Sequence, residues 1–64
     1  MKKKHHLEGV VHEGKVDGRK TLTTWTSDKF VADLKVREFK SDGADMAKVF
    51  IDGRIGYRIV GWFS

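Results

Sequence analysis

No cysteine occurs anywhere in this chain, and at 64 residues that absence constrains the fold more than any other feature. A domain so short buries only about 60% of the surface its unfolded chain exposes. Domains of this size commonly rely on disulfides, a structural metal or a partner. Without thiols, disulfides, thiolate zinc sites and cysteine nucleophiles drop out together. Only imidazole and carboxylate remain as metal ligands, and the redox compartment is unconstrained. Proline is absent as well, so the turns fall to the 7 glycines and to the Asp and Ser residues beside them.

The formal net charge is +4, from 13 Lys and Arg against 9 Asp and Glu. Lys2, Lys3 and Lys4 supply three of those cations, so the rest of the chain is close to neutral. Residues 1–6 read as a disordered basic tip, of native or vector origin, and residues 7–64 as a single small β domain. No stretch is apolar and long enough for a signal core or a membrane span. The expectation is a soluble, cytoplasmic protein that does not engage a membrane.

Strand signals dominate the text. Residues 7–16 are half-apolar with Gly9 and Gly14, and Asp17-Gly18 marks a turn. Residues 21–26 are threonine-rich around Leu22 and Trp25, a composition suited to strand. Ser27-Asp28 interrupts it. Phe30, Ala32, Leu34 and Val36 then alternate with Val31, Asp33, Lys35 and Arg37, a period of two that predicts a strand over 30–39. Asp42-Gly43 is a second turn. Asp52-Gly53, between the apolar runs 46–51 and 55–63, predicts a two-residue type I′ hairpin. A rival reading makes 44–52 a short helix capped by Asp42 and stopped by Gly53.

If both Asp-Gly pairs form two-residue turns, the register follows. Lys48 falls opposite Tyr57 on one side and Arg37 on the other, while Phe50 falls opposite Lys35 and Ile55. One face then carries Phe30, Ala32, Leu34, Val36, Ala47, Val49, Ile51, Val60 and Trp62 as core, with Glu38 and Arg58 paired at its edge. The other face carries a row of Arg37, Lys48 and Tyr57. Like charges directly opposite are destabilising, and an anion relieves them. Cations among aromatic rings on a sheet are also what single-stranded bases and phosphates require. The competing reading is an ordinary two-layer core with the charges reaching out at its rim.

Other chemistry is thin. His5, His6 and His12 are the only imidazoles, and two of them lie in the tip, so no dedicated metal site or cofactor is expected. The aspartates sit singly at turns, where they accept local backbone hydrogen bonds. Ser27, Ser41 and Ser64 lack a nucleophile setting, and no enzyme activity is expected. Trp62 and Phe63, next to the last residue, must be tied down, since chain ends otherwise fray. By alternation they face opposite ways, so one of them is free to meet a partner.

The closing run Gly56-Tyr57-Arg58-Ile59-Val60-Gly61-Trp62-Phe63 resembles the glycine-punctuated strands of small SH3-like barrels, and no functional residue is carried over from that likeness. The expected fold is all-β: a small five-stranded antiparallel sheet, or an SH3-like or OB-like barrel. The alternative is an α+β domain with one short helix near 44–52. The expected function is non-enzymatic nucleic-acid binding, single strands favoured, through Lys35, Arg37, Lys48, Tyr57 and Trp25. The alternative is a protein-interaction or inhibitor module, self-associating through a strand edge or through Trp62 and Phe63 as a homo-oligomer.

Overall fold

A computed structural model of the chain describes residues 6–64. The tip expected at residues 1–6 falls, His6 apart, outside the described residues. The domain is mostly β: strands β1 (Val11–Val16), β2 (Arg19–Thr26), β3 (Ala44–Asp52) and β4 (Gly56–Phe63), with one helix, α1 (Lys29–Ser41), between β2 and β3. The four strands form one antiparallel sheet in the order β1-β2-β4-β3. This corrects the expectation of five strands or a barrel, and it moves the helix from 44–52 to Lys29–Ser41.

Residues 29–41 are helical because both ends are capped and one stripe is buried. The Asp28 carboxylate accepts from the Phe30 amide at 2.8 Å, and the Thr26 hydroxyl accepts from the Asp28 amide at 3.1 Å. At the other end the Asp42 amide donates to the Glu38 carbonyl at 2.9 Å and Gly43 to Lys40 at 3.1 Å. Ala32, Val36 and Phe39 recur at helical spacing and pack inward. Phe30 and Leu34, which carried the period-two pattern, are 81% and 55% exposed on the helix's outer side. They belong to no core, and the strand expected at 30–39 is overturned.

The β1–β2 turn is the two-residue hairpin that Asp17-Gly18 predicts. Both residues have positive φ, 52° and 78°, as a type I′ turn demands. The β3–β4 connection is longer. Asp52 pairs with Gly56, leaving Gly53, Arg54 and Ile55 in the loop. There the Asp52 carboxylate accepts the Arg54 amide at 2.9 Å, and Ile55 is buried. Ile51 therefore meets Tyr57 instead of Arg54, a slip of three residues. An odd slip turns every β4 side chain to the opposite face.

The helix lies chiefly over β3 and β4. Ala32, Phe39 and Ile59 form the core centre, with Leu22, Val36, Ala44, Ala47, Tyr57 and Phe63 packed around it. Trp62 and Val60, expected in the core, face the other way. Phe63 meets Phe39 edge to face, with centroids 6.3 Å apart, and Lys20 Nζ lies 5.8 Å from the Phe63 ring. The last strand is thus docked. Among the described residues no helix is long and apolar enough to cross a membrane.

Candidate functional site

Opposing residues of an antiparallel pair share a face, so the register lays out the side that α1 leaves open. Trp25, Arg58 and Phe50 form one cross-strand row; His12, Thr23, Val60 and Lys48 form the next; Gly14, Thr21, Trp62 and Met46 form a third. The face holds both tryptophans of the chain.

Its side chains touch in a definite pattern. The Arg58 guanidinium lies 5.0 Å from the Phe50 ring centroid, a contact worth about 0.5–1 kcal/mol where exposed. Phe50 meets Trp62 edge to face at 6.5 Å, and His12 meets Trp25 likewise at 4.9 Å. Trp25, Phe50 and Trp62 are each partly exposed, so part of each ring meets solvent, while Lys48 and Arg58 are exposed. Neither Lys48 nor Arg58 has a carboxylate at ion-pair distance among the described residues. The two ends of the face are neutralised: Arg19 pairs with Asp45, which also accepts from the Ser64 hydroxyl, and Arg54 approaches Asp52 at 3.7 Å. The Arg54 amide holds the Asp52 carboxyl below its ordinary value, aided by the Ile55 amide and the Arg54 and Arg58 charges, against some desolvation.

The sequence-derived strip is only partly assembled. Lys48 and Trp25 share the open face, as does Trp62. Tyr57 and Phe63 point to the helix side and pack on the core. Lys35 and Arg37 ride on α1, Lys35 pairing with Glu38 at 3.0 Å. The row of Arg37, Lys48 and Tyr57 does not exist, and neither does the Glu38–Arg58 pair. In its place stands Trp25–Arg58–Phe50.

Comparison with protein-family models, with curated proteins and with solved structures finds no match. The functional reading rests on the site alone.

Arg58 was missed because of the β3–β4 register; Phe50 was placed on the face of Lys48 but not named for the site, and His12 joins the face through the β1–β2 pairing. The signal was present in β4 itself. Its odd positions, Tyr57, Ile59, Gly61 and Phe63, match Ala47, Val49 and Ile51 as one apolar face, and leave Arg58 with Phe50 on the other.

Proposed function

We propose that this protein is a small, non-enzymatic module that binds single-stranded nucleic acid on the open face of its sheet. The observation that carries the reading is the cross-strand row Trp25–Arg58–Phe50, continued by Trp62, with Lys48 beside it and no ion-pair partner for either cation. Partly exposed rings on a sheet are platforms for unstacked bases, each worth about 1–3 kcal/mol on removal. The interleaved cations meet phosphates. Rings seated at this depth cannot reach bases that remain stacked inside a duplex, which favours single strands. The cations also argue against this face as a self-complementary docking surface, which would bring Arg58 and Lys48 near their own copies.

Both tryptophans lie on the face, so intrinsic fluorescence reports occupancy without a label. The test is a titration with short oligothymidylate and with duplex of equal length. The chain used carries Ala at Lys2, Lys3 and Lys4, which removes the tip's charge. Single strands are expected to quench emission. With two phosphate contacts, the logarithm of affinity falls against log salt with a slope of about −1.4, roughly seven-fold between about 50 and 200 mM. Arg58→Ala and Phe50→Ala each weaken binding. Unchanged emission at low salt, or affinity indifferent to both substitutions, rejects the reading.

A further inference from the structure

We infer that the chain pairs with a second copy of itself along the outer edge of β3, antiparallel and centred on Phe50. β3 ends the sheet on one side, and no strand covers it among the described residues. Its one irregularity lies between Ala44 and Met46, so residues 47–52 form a regular edge. Solitary edges are usually blunted by proline, bulges or inward charge. This one carries Lys48 in its middle, yet beyond its bulge it presents Ile51, 87% exposed, and Val49, 38% exposed, both on the side that α1 occupies elsewhere. The opposite edge, β1, carries Glu13 and Lys15 in its middle and is protected in the ordinary way.

The strand's own pattern selects the register. An antiparallel edge pair has its two-fold axis normal to the sheet, so facing residues must share a face and the centre must fall on a residue. Centring on Lys48 sets that cation against itself. Centring on Val49 faces Ile51 with small Ala47 and Asp52 with Met46. Centring on Ile51 sets Arg54 against Lys48 and Asp52 against Phe50. Centring on Phe50 leaves no like-charge pair and matches every position from 48 to 52. Lys48 faces Asp52 of the second copy, Val49 faces its Ile51, and the two Phe50 rings meet at the axis. Each of these pairs occurs twice, except the central one. Opposite charges and apolar β-branched pairs in such positions are the favourable cross-strand combinations.

The pairing joins two sheets into one of eight strands with both open faces on the same side. The row then runs Trp25–Arg58–Phe50 and back through the same residues of the second copy, about 24 Å end to end at ordinary strand spacing. The pairing itself does not depend on the nucleic-acid reading and is tested without nucleic acid.

Sedimentation equilibrium of the full chain over a concentration series is expected to show a mass moving from 7.3 kDa to twice that value. Ile51→Lys is expected to raise the dissociation constant ten-fold or more with an unchanged circular dichroism spectrum, since the side chain is outside the core. Lys48→Asp, which sets two acidic side chains opposite each other across the pairing, should weaken the dimer. The chain lacks cysteine, so a mixture of Val49→Cys and Ile51→Cys chains should cross-link on oxidation far more completely than Val49→Cys alone. A monomer at every concentration overturns the inference. So does a dimer indifferent to Ile51→Lys, or a mixed Val49→Cys and Ile51→Cys sample that cross-links no better than Val49→Cys alone.

Discussion

Gly61 shows how little room this small core leaves. A Cβ built there would stand 2.9 Å from Phe39 Cδ2 and 3.0 Å from its Cγ, on the ring that fills the space between helix and sheet. Phe39 is itself buried and cannot swing away without vacating the centre. Gly61→Ala is therefore expected to destabilise by about 1–3 kcal/mol, the usual cost of overpacking. Urea denaturation reads this directly, and Phe39→Leu added to Gly61→Ala should recover part of the loss. Equal stability of Gly61→Ala and the parent would mean that the helix does not press on β4 as described. Asp52 gives a second prediction at this scale. Its folded pKa lies below the unfolded one, so its contribution to stability is fully present above the ordinary carboxylate range. That contribution is lost as pH falls through the depressed folded value. Asp52→Asn should thus be less stable than the parent near neutrality, and the two denaturation midpoints should converge in acid. A gap that persists undiminished in acid would assign the effect to something other than ionisation.

At the scale of elements, α1 decides how legible the fold was. The Asp17-Gly18 turn, the strand over 21–26 and the strand over 46–51 follow from turn chemistry and composition, and they stand within the longer β2 and β3, while the rival helix over 44–52 does not form. The strand over 30–39 does not stand, because two of its apolar residues, Phe30 and Leu34, are exposed and happen to complete an alternating pattern. The residues read as interruptions, Asp28 before it and Asp42-Gly43 after it, are the caps of a helix. Local capping outweighed a period that the core never used. The assignment is testable by substitution. Asp28→Ala should cost about 1 kcal/mol through loss of the N-cap, whereas Phe30→Lys should change stability by no more than about 0.5 kcal/mol, as exposed positions do. In a buried strand the second substitution would unfold the domain. The β3–β4 loop was illegible for a different reason. Asp-Gly is a sound two-residue turn signal, but here the Asp52 side chain captures the Arg54 amide and Ile55 tucks into the core, which lengthens the loop by one residue beyond that turn. Nothing local to Asp52-Gly53 announces that choice; it is made by the apolar site waiting for Ile55.

Whole-molecule geometry then separates two versions of one idea. A basic-aromatic surface on the sheet was legible as a principle, and its composition was only partly right, since register parity sent Arg58 to the open face and helix formation over Lys29–Ser41 took Lys35 and Arg37 off the sheet. The two versions make opposite predictions. Lys35 and Arg37 lie on the helix that covers one side of the sheet, while Trp25, Arg58, Phe50 and Trp62 occupy the other. A nucleic acid held on the open face cannot reach across the sheet, and helix charges act on it only through screened solvent, with a reach of about 10 Å at moderate salt. Lys35→Ala/Arg37→Ala should therefore leave single-strand affinity within about two-fold of the parent, although both substitutions lower the net charge as much as any. Lys48→Ala/Arg58→Ala removes the same charge from the open face and should flatten the salt dependence as well as weaken binding, because released counterions are counted per phosphate contact. The two double variants have equal net charge, so fluorescence titrations at two salt concentrations distinguish a surface that binds by position from a chain that binds by being basic. Equal losses from both would locate the interaction in overall charge and remove the open face from the argument.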